Sequence, residues 1–162
     1  LKKGQNVLDI GAAPGSWSQI LSEKVFSKEK NNCIVSIDLK EFKSIKNIIF
    51  VKKNIFDTDF FVLLQKYFPN GLDLIISDIA PSTTGNKFVD HIKSLELSER
   101  SFKISKKLLN KGGALVIKVF DGKETVKFFQ LIKENFLEFN LYKPKSTRTA
   151  SKEIYIVAKF LK

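Results

Sequence analysis

Leu8-Asp9-Ile10-Gly11-Ala12-Ala13-Pro14-Gly15-Ser16-Trp17 is the stretch on which the fold turns. An apolar run ending at Gly11 passes through a glycine-bearing turn into the helical spacing of Trp17 to Phe26. Strand, glycine turn and helix in that order open a nucleotide-type βα unit. Gly11 and Gly15 permit a tight turn and close backbone approach. Pro14 lies near the helix start, where its missing N–H costs little. Further along, the pattern predicts strands at Asn6–Gly11, Cys33–Asp38, Ile48–Val51, Leu72–Asp78 and Ala114–Phe120. It predicts helices at Phe60–Phe68, at Leu95–Leu109 (stopped by Gly112-Gly113) and at Val126–Phe136. Phe139–Tyr142 and Glu153–Phe160 read as two closing strands. Such alternation predicts an α/β fold, a mostly parallel sheet with helices on both faces.

A chain of 162 residues without an internal linker reads as one domain, 1–162. It holds one cysteine, Cys33, and one histidine, His91, which excludes a disulfide framework and argues against a metal site. The apolar runs fall far short of the ~20 residues that span a bilayer. We therefore expect a monomer of the cytoplasm or an organelle matrix, with no membrane and no metal. The formal net charge of +11 favours a polyanionic partner, nucleic acid first. An AT-rich genome also inflates lysine, and only Arg100 and Arg148 are arginines. The absence of methionine, with Leu1 just ahead of the first strand, leads us to expect a further N-terminal segment upstream.

In a parallel sheet the ligand lies at the carboxyl ends of the strands, which directs attention to Gly11, Asp38, Asn54, Asp78 and Lys118. A dinucleotide site asks for G-x-G-x-x-G, but Ala13 stands where the second glycine belongs. Asp9, Asp38 and Asp78 repel a pyrophosphate and suit a cationic sulfonium with its amine. Asp38 is also spaced to grip ribose hydroxyls; its other reading is a helix cap. S-Adenosylmethionine fits these residues better than NAD.

LDIGAAPGSWSQ, SDIAPSTTG (Ser77–Gly85), TTGNKFVDH (Thr83–His91), VIKVF (Val116–Phe120) and SKEIYIVA (Ser151–Ala158) together resemble the FtsJ/RrmJ family of ribose 2′-O-methyltransferases. The resemblance covers almost the whole chain in the family's order. It implies a Rossmann-like S-adenosylmethionine-dependent methyltransferase fold whose last strand is antiparallel. It implies cofactor contacts at Gly15, Trp17, Asp38 and Asp78, beside Gly11 of the turn. The family's adenine-contacting acid falls on Asn54, an amide that still donates and accepts hydrogen bonds. It also implies a catalytic Lys-Asp-Lys-Glu set, three members of which match Asp78, Lys118 and Glu153. The fourth, a lysine, is expected upstream. The chain resembles the family's bacterial members that methylate a uridine of 23S ribosomal RNA, which implies large-subunit rRNA as the partner.

Strand-end positions support this grouping. Asp78 and Lys118 fall at or near carboxyl ends of parallel strands, and an antiparallel last strand starts Glu153 on the same edge. Desolvation in LVIKVF favours the neutral amine of Lys118, while nearby carboxylates favour its ammonium. General base and steering group are therefore both open to it. Without partners, Lys118 reads as a snorkelling strand lysine and Glu153 as the polar phase of alternation. His91 reads as a surface or capping residue, and Cys33 as packing. Lys143, Lys145, Arg148 and Lys152, between the last two strands, are candidate phosphate ligands; Lys2, Lys3, Lys40 and Lys43 extend that track. The alternatives are a tRNA ribose methyltransferase, a catalytically silent RNA-binding domain of the same fold, and an NAD-dependent oxidoreductase.

Overall fold

Val7, Leu8, Asp9 and Ile10 are all buried, because the strand they form has neighbours on both edges and layers on both faces. The computed structural model describes residues 1–144 and 153–162. In chain order its elements are β1 (Val7–Ile10), α1 (Ser16–Lys24), β2 (Ile34–Asp38), β3 (Ile49–Lys52), α2 (Phe60–Tyr67), β4 (Leu72–Ser77), α3 (Lys87–Leu108), β5 (Leu109–Phe120), α4 (Thr125–Asn135), β6 (Phe136–Tyr142) and β7 (Glu153–Leu161). The described strands form one sheet in the order β3-β2-β1-β4-β5-β7-β6. β3, β2, β1, β4 and β5 pair in parallel, and β7 runs antiparallel between β5 and β6. The order reverses between β1 and β4, the switch point where α/β sheets bind ligands.

Side-chain alternation sorts the core into two layers. Leu8, Ile10, Ile37, Ile75, Leu115 and Ile117 pack with Phe60 of α2, Phe102 of α3 and Phe128 of α4. On the opposite face Val7, Ile34, Leu74 and Ile76 pack with Leu21 of α1. The second face is covered less completely: Val116 and Val157 are half-buried where Ile117 and Ile156 are fully buried. Asp78, Lys118, Tyr155 and Glu153 belong to this second, more open face by register and alternation.

Several expected boundaries differ, among them the start of β6, at Phe136 rather than Phe139, and both ends of α3. α3 begins at Lys87, eight residues before Leu95, with the Asn86 side chain accepting from the Phe88 and Val89 N–H groups. Its early turns bury Asp90, His91, Ser94 and Ser98, the last two opening a serine stripe that continues through Ser101 and Ser105, so they carry no apolar period to read. The stripe lets the helix lie close on the sheet: Ser98 Oγ donates to the Lys118 carbonyl at 2.9 Å, and Ser94 Oγ accepts from the Phe120 N–H at 3.1 Å. At its other end α3 stops at Leu108 without the glycine pair. Leu109 is already extended, and Gly112 and Gly113 lie inside β5 beside a register shift against β4. His91 is not a surface residue. The early start of α3 turns it inward, only 7% exposed, with Nε2 2.9 Å from Glu124 Oε2 and its ring where a Cβ on Gly122 would sit.

Gly11 is held at φ 75°, and a Cβ there would come within 2.5 Å of Ile79 Cα, so the first turn and the end of β4 touch backbone to backbone. Gly112 has a similar φ of 78° but open space around it. In urea unfolding, Gly112→Ala should cost about 1–2 kcal/mol, the left-handed backbone alone. Gly11→Ala should cost about 1–3 kcal/mol more, from overpacking against β4. Equal losses would show that the two turns are not in contact.

Candidate active site

The parallel strands deliver their carboxyl ends to one cleft of about 580 Å³. Gly11 and Ala13 line it from the β1–α1 turn, Asp38 to Lys40 from the end of β2, and Lys53 to Phe56 from beyond β3. Asp78 to Ser82 follow β4, Leu97 comes from α3, and Lys118 closes it from β5. Asp38 caps no helix, since the next element after β2 is β3. Its Oδ2 accepts from the Ala13 N–H at 2.9 Å and its Oδ1 from the Lys40 N–H at 2.8 Å, tying the glycine turn to β2. Asn54 Oδ1 accepts from the Phe56 N–H at 3.0 Å, shaping the turn beyond β3. Two lysines of the lining are matched by carboxylates, Lys118 by Asp78 and Lys53 by Asp57 and Asp59. A third lysine, Lys40, lines the cleft with Asp38 and Asn54, beside apolar Ile37, Leu39, Ile55 and Leu97.

Asp78 and Lys118 are brought together. Their strands pair in parallel through Ile76–Val116 and Ser77–Ile117, so the next step puts these two side by side. Lys118 Nζ lies 2.9 Å from Asp78 Oδ1, with the lysine side chain 10% and the aspartate 27% exposed. Lys118 does not snorkel from an edge, because β5 is flanked by β4 and β7. Tyr155, which lies opposite Lys118 in the β5–β7 register, donates its hydroxyl to the same Oδ1 at 2.8 Å. Burial, reinforced by Asp78, pushes the Tyr155 phenol well above its ordinary range, so it stays an O–H donor. Tyr155 escaped the sequence reading; period-two alternation from Glu153 was the signal that could have found it. Glu153 stands opposite Phe120, one same-face step from Tyr155, and its charge also acts on that phenol.

Gly15 and Trp17, expected as cofactor contacts, are not among the residues that line the cleft. Gly15 precedes α1 at φ 105°, and a Cβ there would sit about 3 Å from the Phe42 and Ile45 side chains. The Trp17 ring faces Tyr155 with centroids 6.0 Å apart. Asp9 is buried beneath the turn rather than facing the cleft. Its Oδ2 accepts from Ser18 Oγ at 2.6 Å, and Ser18 in turn meets Ser36 at 2.9 Å. Among the described residues Asp9 Oδ1 has no hydrogen-bond partner. Lys143 is exposed beyond β6; Lys145, Arg148 and Lys152 lie outside the described residues. No described helix is long and apolar enough to cross a membrane.

Comparison with known proteins bears on this geometry. A family model described as FtsJ-like methyltransferase matches residues 1–161. The ribosomal RNA large subunit methyltransferase E of Buchnera aphidicola subsp. Baizongia pistaciae is 38% identical over 159 residues, 98% of this chain and 74% of that protein. The Pelagibacter ubique protein of the same name is 39% identical over 161 residues, 99% of this chain and 77% of that one. A Plasmodium falciparum structure assigned as a ribosomal RNA methyltransferase superposes with a TM-score of 0.86 at 32% identity, covering 99% of this chain and 88% of that one. A Streptococcus mutans structure assigned as a methyltransferase, in complex with SAH, shares the fold (TM-score 0.63, 17% identity, 99% and 89% coverage).

Burial lifts the Asp9 carboxyl from 3.8 to about 6, against the opposing bonds from Ser18 and Ser36. The folded state therefore holds this proton more tightly than the unfolded chain, and Asp9 makes stability fall as pH rises from about 4 to about 6. The loss amounts to at most about 3 kcal/mol. Asp9→Asn should flatten that part of the stability–pH curve in urea titrations at several pH values. An unchanged decline in the variant would mean that Asp9 ionises freely in the fold.

Proposed function

This chain belongs to the FtsJ-like methyltransferase family, and from that premise we propose that it transfers a methyl group from S-adenosylmethionine to a ribose 2′-hydroxyl of large-subunit ribosomal RNA, a uridine of 23S rRNA. The observation that carries the reading is the Lys118–Asp78 pair at the mouth of the cleft that Asp38 and Asn54 also line. The names of the bacterial relatives support the RNA class. The net charge of +11 supports a polyanionic substrate.

The residues present fit the cofactor. Gly11 keeps the first turn close to β4; of the cleft-lining residues, Asp38 would take the ribose hydroxyls, Asn54 the adenine and Asp78 the cationic end. Gly15 would let the turn pass close to Phe42 and Ile45, and Trp17 would act through its contact with Tyr155. When bound, S-adenosylmethionine supplies a methyl carbon made electrophilic by its sulfonium.

The protein's own task is alignment and proton handling. Lys118 offers three donors. One is committed to Asp78, which fixes the direction of the others toward the cleft. An incoming ribose 2′-oxygen that accepts from Lys118 Nζ has its remaining lone pair aimed and its approach restricted to one line. While the ion pair stands, Lys118 is a donor and not a base, so the geometry favours steering. As the oxygen gains the methyl group its proton becomes strongly acidic and passes to water without a strong base. Tyr155 holds the carboxylate of Asp78 in place. Glu153 is the third charged member of the group, on the same face. Lys143, with Lys145, Arg148 and Lys152, would contact phosphates.

Labelled methyl transfer to 50S particles, naked 23S rRNA and tRNA tests the reading. Label should appear on a ribose of 23S rRNA, and Lys118→Ala should lower turnover by about 10²-fold, the cost of lost alignment, while S-adenosylhomocysteine affinity is kept. Label on a base, label on tRNA alone, or full turnover in Lys118→Ala would overturn the reading.

A further inference from the structure

The wall of the cleft beyond β3 is a turn that is shaped locally and held from elsewhere. Asn54 makes its own contacts to Phe56 and Asp57, through the Asn54 side chain and carbonyl, at 3.0 and 3.1 Å. Lys53 pairs with Asp57 at 3.2 Å and Asp59 at 2.7 Å. All of these bonds lie within residues 53–59. They set the curvature of the turn; its start is anchored to the end of β2 by the Lys53 N–H, which donates to the Asp38 carbonyl at 3.2 Å, and Ile55 packs into the core, which leaves the outer part of the turn to be held from α3.

Arg100 reaches the turn from α3. Its Nε donates to the Ile55 carbonyl at 2.7 Å. Its guanidinium carbon lies 5.7, 6.0 and 5.0 Å from the ring centroids of Phe56, Phe60 and Phe61, within cation–π range of each. Ile55 and Phe56 line the cleft, and so does Leu97, one helical turn before Arg100 on the same face of α3. The same helix holds the Lys118 carbonyl through Ser98. α3 thus carries both ends of the cleft, one through Ser98 and the other through Arg100. A fork-shaped cation that donates to a carbonyl while stacking on aromatic rings is a task for arginine that lysine does less well.

We propose that Arg100 is a positioning residue for the cofactor site, fixing the Asn54–Phe56 wall against which the adenosine lies. It touches no reacting atom. The proposal rests on the cofactor reading above, and it places the effect on binding of the nucleoside rather than on the chemical step.

Calorimetry of the whole chain with S-adenosylhomocysteine and with adenosine tests it, on wild type, Arg100→Ala, Arg100→Lys and the exposed neighbour Lys103→Ala. Arg100→Ala should raise the Kd for both ligands by the same factor, about tenfold. Arg100→Lys should give a smaller rise, and Lys103→Ala none. At saturating S-adenosylmethionine, kcat should be unchanged in Arg100→Ala while KM for the cofactor rises. A folded Arg100→Ala with wild-type Kd, or with lowered kcat and unchanged Kd, would overturn the proposal. If circular dichroism shows Arg100→Ala unfolded, Arg100→Lys decides by the same criterion. Wild type that binds neither ligand would bring down the cofactor reading itself, and this inference with it.

Discussion

The ion pair between Lys118 and Asp78 is the constraint around which the carboxyl edge of the sheet is arranged. A lysine near the end of an internal strand, 10% exposed, needs an acid within reach, since an unpaired buried charge is strongly destabilising. Parallel register supplies that acid: β4 and β5 step together until Asp78 and Lys118 are neighbours. The antiparallel β7 then brings Tyr155 opposite Lys118, and its hydroxyl adds a second donor to the same carboxylate oxygen. A buried pair of this kind is seldom the most stabilising choice, and well-packed apolar side chains often do as well. Its position at the mouth of the cleft is what gives it a use in the proposed reaction, where one amine must hold and aim one oxygen.

The other carboxylates of the edge divide the remaining work. Asp38, whose oxygens accept from two backbone N–H groups, fixes the glycine turn against β2 and faces the cleft. Asp9, one strand away, is buried and tied to two serines, and it holds α1 onto the sheet from beneath. Beneath the opposite face, the serine stripe of α3 lies on the ends of β4 and β5. Ser101 meets Ser77, Ser98 meets the Lys118 carbonyl, and Ser94 meets the Phe120 N–H. Small hydroxyl side chains in these places trade apolar area for close, directional contact, and the reacting edge is held by hydrogen bonds as well as by packing.

Much of this was legible in the sequence because it rests on period and punctuation. The apolar strands, the Gly11–Gly15 turn and the Asp78 and Lys118 strand ends follow from alternation and from residues with special backbone freedom. The start of α3 was hidden because its buried face is polar (Asp90, His91 and Ser94) and its apolar residues Phe88, Val89 and Ile92 are exposed. His91 was misplaced for the same reason. Arg100 was hidden differently: it acts through a contact 45 residues away in the chain, which no local pattern announces. Alternation from Glu153 puts Tyr155 on the right face, but not its contact with Asp78, 77 residues away. Strand order had the same limit, since nothing in the residues of β6 and β7 says that the later strand inserts between β5 and the earlier one.

The central claim is that Lys118, held by Asp78, aims a ribose oxygen. A crystal structure of the chain with S-adenosylhomocysteine and a short RNA bearing the acceptor nucleotide tests it most directly. The account predicts a ribose 2′-oxygen about 3 Å from Lys118 Nζ, turned toward the sulfur, with the Lys118–Asp78 contact intact. A nucleobase atom facing the sulfur, with the ribose out of reach of Lys118, would contradict it.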